Sequence, residues 1–132
     1  MGRAYGNAAT AEELLPIIVD QVELARRLTV NVQDRRGGGA SARVYSATFD
    51  GQHTAIKCLH STATRREHAQ QEFLREAYLL ARLAHSNIVQ VYALCQLPPA
   101  FCGLPTRRYT WALVMELLED CVTPRGCRAD TG

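Results

Sequence analysis

The sequence has no apolar run long enough to cross a membrane as a helix. Its longest, Leu14–Val19 and Trp111–Met115, fall far short of the roughly 18 residues a span requires. Residues Met1–Thr10 carry a single Arg3 and no apolar stretch leading to a small-residue cleavage site, so no secretory signal is expected. Charge of one sign is also scarce. A formal net charge of +2, with Lys and Arg dispersed, gives no patch for nucleic acid or a membrane surface. Cysteine is present without a framework: Cys58, Cys95, Cys102, Cys121 and Cys127 are odd in number and lack the C-x-x-C spacing of a zinc site. No metal site is expected from them, and their usage suits a reducing, cytoplasmic compartment. What remains is ordinary globular composition, 47% hydrophobic and 21% charged, over 132 residues, which is one domain's worth of chain.

Three stretches differ in pattern. Residues 1–27 form an N-terminal extension: a small, polar lead-in and then a helix. That helix starts either at the Thr10–Glu13 capping box or at Pro16, and ends near Arg27. From residue 28 to 118 the pattern predicts an α+β unit. Strand-like runs at Leu28–Gln33, Arg43–Phe49 and Thr54–Leu59 are joined by glycines at 37–39 and by Asp50-Gly51, a dipeptide suited to a type I′ turn. Apolar residues then recur at helical spacing, Phe73, Ala77 and Leu80, within a helix expected over Thr64–Leu83. Strands at Ile88–Leu94 and Tyr109–Glu116 follow, separated by a Pro- and Gly-containing segment, Cys95–Arg108, expected to be an exposed loop. The reading is therefore a five-stranded antiparallel sheet with one long helix. Residues 119–132 carry no apolar period and are expected to be disordered.

Three features within this frame carry chemistry. Gly37-Gly38-Gly39 lets backbone amides approach an anion closely, although three glycines also serve a plain hairpin tip or linker. Alternation along Thr54–Leu59 puts Ala55 and Lys57 on one face, where a small residue beside a lysine leaves room for a flat ring; an isolated strand lysine is otherwise a solvent-facing edge charge. Glu76 borders the apolar stripe of the long helix. It needs a cation there, with Lys57 the natural candidate, unless it is only one of several exposed i,i+4 charges with Glu72 and nearby arginines.

Taken in order, these elements resemble the N-terminal, ATP-binding lobe of protein kinases, most closely the tyrosine-kinase-like serine/threonine kinases. Gly37, Gly39 and Val44 match the G-x-G-x-x-G-x-V loop, Ala55-Ile56-Lys57 the V-A-I-K strand, and Glu76 the helix glutamate. Leu83-Ala84-His85-Ser86-Asn87-Ile88-Val89 is similar to the family's L-x-H-x-N-I-V passage. The resemblance implies a kinase small-lobe fold and ATP as cofactor, with magnesium in an intact kinase. It also implies a set of roles: Gly37, Gly38 and Gly39 roofing the phosphates, Lys57 on the α- and β-phosphates and Glu76 orienting Lys57. Val44 and Ala55 would cover adenine, Met115 would be the gatekeeper, and Glu116 and Leu118 the hinge.

There are departures from the family pattern. Ala42 stands where the third glycine is usual, and neither His-Arg-Asp nor Asp-Phe-Gly occurs. A chain truncated before the catalytic lobe is expected, with negligible phosphoryl transfer alone, because the acidic groups that place magnesium and the acceptor are missing. The competing expectation is a non-catalytic interaction module whose exposed apolar floor meets a large lobe or another protein partner.

Overall fold

The computed structural model describes residues 16–39, 41–60, 66–84 and 89–117. These form one mixed sheet flanked by two helices. In chain order the elements are β1 (Ile17–Ile18), α1 (Gln21–Arg27), β2 (Leu28–Gly38), β3 (Ala42–Phe49), β4 (Gln52–Leu59), α2 (Arg66–Ala84), β5 (Val91–Leu97), a short 3-10 turn (Phe101–Gly103) and β6 (Thr110–Glu116). The spatial order of strands is β1-β5-β6-β4-β3-β2.

Six strands, not five, make the sheet, and one pair is parallel. Ile17 and Ile18 lie in register with Leu94 and Cys95 at the β5 edge, and Leu94 donates its amide to the Pro16 carbonyl at 2.9 Å. Within the described part, residues 16–27, of the N-terminal helix expected from Thr10 or Pro16 to Arg27, the chain forms a two-residue strand followed by a seven-residue helix. The break falls at Asp20, whose extended backbone ends the strand and whose carboxylate caps the helix by accepting from Val22 N (2.9 Å) and Glu23 N (3.1 Å). The tail expected to be disordered, 119–132, lies outside the described residues, as do Cys121, Cys127 and the His85–Ile88 part of the helix-to-strand passage.

The Asp50-Gly51 turn forms as its residue types require, with φ of 51° and 82° at its two central residues. Its tip is tied to α1. Arg27 donates Nε and Nη2 to the two Asp50 carboxylate oxygens at 2.8 and 2.9 Å, Asp50 N donates to the Arg27 carbonyl at 2.8 Å, and the guanidinium lies 4.9 Å from the Phe49 ring centroid. Asp50 is held below the usual carboxylate range chiefly by the Arg27 hydrogen bonds.

The two faces of the sheet are covered differently. On one, α1 and the β5–β6 segment close a large cluster that includes Leu24, Leu28, Val30, Phe49, Ile56, Leu97 and Val114. The expectation that Cys95–Arg108 is an exposed loop holds only in part: Cys95–Leu97 complete β5, and the loop that follows, though much of it is exposed, also enters this core. Leu104 is buried in this cluster, Phe101 packs on its edge, and the Cys102 thiol accepts a hydrogen bond from Val30 N at 3.3 Å. Three residues in the left-handed region, Ala100, Cys102 and Gly103, turn the segment back over β2. Cys58 and Cys95 lie in the same cluster, and burial pushes both thiols up to about 12. The opposite face meets α2 through a smaller cluster of Leu59, Phe73, Ala77, Ala81, Leu94 and Leu113. Phe73, Ala77 and Ala81 follow one another at intervals of four, so α2 presents one narrow stripe to the sheet.

Candidate functional site

The sheet register brings the sequence-predicted residues together in two cross-strand rows on the α2 side. Gly37 pairs with Val44, Val44 with Lys57 and Lys57 with Leu113; one row over, Ser46 pairs with Ala55 and Ala55 with Met115. Directly opposed residues share a face, so Val44, Ala55, Lys57 and Met115 all project toward one side. The alternation read from the sequence for Ala55 and Lys57 therefore holds, with Ile56 and Cys58 turned into the other core.

Lys57 Nζ donates to Glu76 Oε1 at 2.8 Å, joining β4 to α2 across 19 residues of sequence. The lysine is the more sheltered partner, 21% exposed against 54% for Glu76. Glu76 is thus more solvated than its place beside the apolar stripe indicates, because Phe73 and Ala77 take the buried positions and leave it at the stripe's margin. A pair this open has modest net worth for stability; its value is in fixing where the ammonium points. Glu76 is therefore not simply one of several exposed helix charges: it reaches the strand, while Glu72 lies 4.0 Å from His68.

A cleft of about 380 Å³ opens beside this pair, lined by Ser41 and Ala42 from the β2–β3 turn, Lys57, and Glu72, Phe73, Arg75, Glu76 and Leu79 of α2. The turn itself is closed by a hydrogen bond from Gly39 N to the Ala42 carbonyl at 2.8 Å. Its glycines are not equivalent. A Cβ at Gly38 would stand 2.8 Å from the Ala42 carbonyl oxygen, so the protein's own backbone requires a glycine there. At Gly37 and Gly39 a Cβ would meet nothing within 4 Å, so these two leave open room and not an internal contact. Ala42, at the third-glycine position, does not take positive φ; it is buried opposite Leu59, and its methyl is accommodated.

At the other end of the rows, Glu116 closes β6. Its amide donates to the Gln90 carbonyl at 2.8 Å, and its carboxylate Oε1 accepts from Gln90 N at 3.1 Å. Leu118 lies outside the described residues. Sequence reasoning missed Ser41, Arg75 and Leu79 as cleft residues, because the cleft is a gap between a turn and a helix and no spacing in the chain marks it. Among the described residues no three His, Cys, Asp or Glu side chains converge to hold a metal ion, so magnesium is given no ligand set by them. Nor is any helix among them long and apolar enough to cross a membrane.

A mixed sheet with one long helix packed on it, a glycine turn and a strand lysine tied to a helix glutamate are the parts of a kinase small lobe. The sequence pattern defining the protein tyrosine and serine/threonine kinase family matches residues 30–121, and the chain belongs to that family. It is 35% identical over 75 residues to the serine/threonine/tyrosine-protein kinase HT1 of Arabidopsis thaliana, an overlap of 54% of this chain and 19% of that protein. It is 42% identical over 57 residues to the serine/threonine-protein kinase PksC of Streptomyces coelicolor, covering 42% of this chain and 10% of that one. Over 92 residues, 66% of this chain, it is 30% identical to 11% of a G-type lectin S-receptor-like serine/threonine-protein kinase of A. thaliana. The chain therefore spans under a fifth of the length of these curated relatives.

Proposed function

We propose that this chain is the ATP-holding lobe of a serine/threonine protein kinase. The observation that carries the reading is the 2.8 Å Lys57–Glu76 pair beside the open glycine turn. An ammonium fixed by a carboxylate on the rim of a cleft is a preorganised partner for phosphate oxygens, and orienting it beforehand removes part of the entropic cost of binding. The turn would let its backbone come close to the phosphates at Gly37 and Gly39, where a Cβ would meet nothing within 4 Å. Val44, Ala55 and Met115, on the same face as Lys57, would flank the adenine ring, with the main chain of Glu116 and Leu118 at its edge.

ATP supplies the transferable phosphoryl group when bound; the residues here would bind and orient it. These 132 residues contain no His-Arg-Asp or Asp-Phe-Gly triplet, so we assign them nucleotide holding and not transfer by themselves. Titration calorimetry of the 132-residue chain with ATP tests this: saturable binding that weakens in Lys57→Ala supports the assignment, and binding that is absent or indifferent to Lys57 removes it.

The second reading, a non-catalytic interaction module, draws on one observation. Leu79, which lines the cleft, and Leu83, one turn further along α2, are 54% and 45% exposed. A folded chain that ignores ATP yet binds a protein through these leucines, and loses it in Leu79→Ser, would favour that reading.

A further inference from the structure

On the side of the sheet facing away from Lys57, near the same turn, three basic groups converge. Arg43 Nη2 lies 3.3 Å from His60 Nε2. Arg43 pairs with Cys58 across the strands, and Cys58 belongs to the core on the α1 side, so this edge of the sheet turns Arg43 away from the Lys57 row. Arg35 pairs with Tyr45, another residue of that core. Its guanidinium folds back over the turn, donating Nε to the Gly37 carbonyl at 3.3 Å. The same group lies close to Arg43: a Cβ built at Gly38 would be 2.9 Å from Arg35 Nη2 and 3.3 Å from Arg43 Cα. His60 is held in place by its amide, which donates to the Ser41 carbonyl.

No acid among the described residues pairs with Arg35 or Arg43. The neighbouring Asp34 is taken by Arg36 at 3.0 Å, while Glu23 and Asp50 are engaged by Arg27, Glu76 by Lys57, and Glu72 lies 4.0 Å from His68. Two guanidinium groups gathered without a counter-charge are unfavourable, and their field adds to burial in making the His60 imidazole less basic. A multiply charged anion seated among the three would relieve this repulsion, and two guanidinium forks suit the oxygen geometry of one chemical class above others.

We propose that Arg35, Arg43 and His60 form a binding site for a phosphoryl group, on the opposite face of the sheet from the Lys57 cleft. The group is carried either by a phosphorylated side chain of a peptide or by free phosphate. The position couples it to the nucleotide lobe, because Arg35 and His60 both hold main-chain carbonyls of the glycine turn, at Gly37 and Ser41. An anion here would order that turn from behind.

NMR of the full 132-residue chain tests the site, following the His60 ring while adding inorganic phosphate, a short phosphothreonine peptide, or the same peptide unphosphorylated. The expected result is a saturable shift with the phosphorylated probes and none with the plain peptide. Tighter binding of the phosphopeptide identifies a phosphorylated side chain as the source, and equal or tighter binding of phosphate identifies the free anion. Arg43→Gln and, independently, Arg35→Gln should each weaken binding about tenfold or more, the worth of a charged hydrogen bond, while Lys57→Ala should leave it unchanged. Absence of a saturable shift with either phosphorylated probe overturns the proposal. So does loss of binding in Lys57→Ala with retention in both arginine variants, which would place the anion in the nucleotide cleft.

Discussion

The two faces of this sheet are built to different ends. The face under α1 and the β5–β6 segment is closed: fifteen buried residues form one cluster that includes Leu24, Leu28, Ile56, Leu97 and Val114. The face under α2 has a smaller cluster of six, and beside it lie an ion pair, an open cleft and two exposed leucines. Stability in proteins is a small surplus of burial over chain entropy, so a lobe that leaves one face open must gain its surplus on the other. The contrast teaches that the N-terminal segment and the β5–β6 segment, both outside the recognisable motifs, close the face that allows the motif-bearing one to stay open.

The largest effect should come from the closed face. Leu24→Ala, which removes the one fully buried side chain of α1, is expected to cost about 2–5 kcal/mol, read as a lower urea midpoint at unchanged slope. A loss under about 0.5 kcal/mol would mean that α1 is not what closes this face. On the open face the order reverses. Lys57→Ala should leave the urea midpoint nearly unchanged but weaken ATP binding about 10- to 100-fold, the range of a charged hydrogen bond. Glu76→Ala should weaken it less, and the double variant should fall short of the sum, since the glutamate acts through the lysine. Strict additivity of the two would show that they are not coupled.

Smaller effects sharpen the boundary between the faces. Asp50→Asn keeps a residue type that tolerates φ of 51° and removes only the charge paired with Arg27. Because both side chains are well exposed to water, the loss should be about 0.2–1 kcal/mol. Its pH dependence has a fixed sign. The folded carboxyl lies below its unfolded value, so the pair's contribution is present above the ordinary carboxylate range and is lost as pH falls through the folded value. Asp50→Asn should therefore flatten the acid limb of a stability-against-pH profile, and an unchanged limb would refute the coupling. Smallest in its effect on stability is thiol chemistry. At pH 8 iodoacetamide should label Cys102 and spare Cys58 and Cys95, whose buried thiols stay protonated up to about 12. Rapid labelling of either buried thiol, detected by peptide mass, would show that the closed face opens.

Much of the frame was legible because it rests on local rules. Asp50-Gly51 fixes its turn through the positive φ both residues tolerate. The α2 helix runs Arg66–Ala84 against an expected Thr64–Leu83, since a long amphipathic repeat is the strongest signal a sequence carries. Alternation placed Ala55 and Lys57 together, and the ordered motifs singled out Glu76 as the lysine's partner. Three features were not legible. Ile17–Ile18 is too short for any period to reveal, and becomes a strand only because the β5 edge accepts it. Pro98, Pro99 and Gly103 mark a loop correctly, yet say nothing of where it lies, and Leu104 is buried by contact with distant strands. The Arg35–Arg43–His60 cluster depends on the irregular β2–β3 register between Asn31 and Gly37, which no alternation rule yields.

The sequence by itself determined the order of the main elements from Leu28 onward, the hairpin, the long helix and the identities of the lysine and glutamate, because each follows from residue chemistry acting over a few positions or from an ordered set of motifs. Only the tertiary structure decided that Lys57 and Glu76 meet at 2.8 Å, that the cleft opens beside them, and that one face is sealed while the other is not. Those depend on strand register and on which segments return to cover the sheet, and both are settled by burial summed over the whole fold.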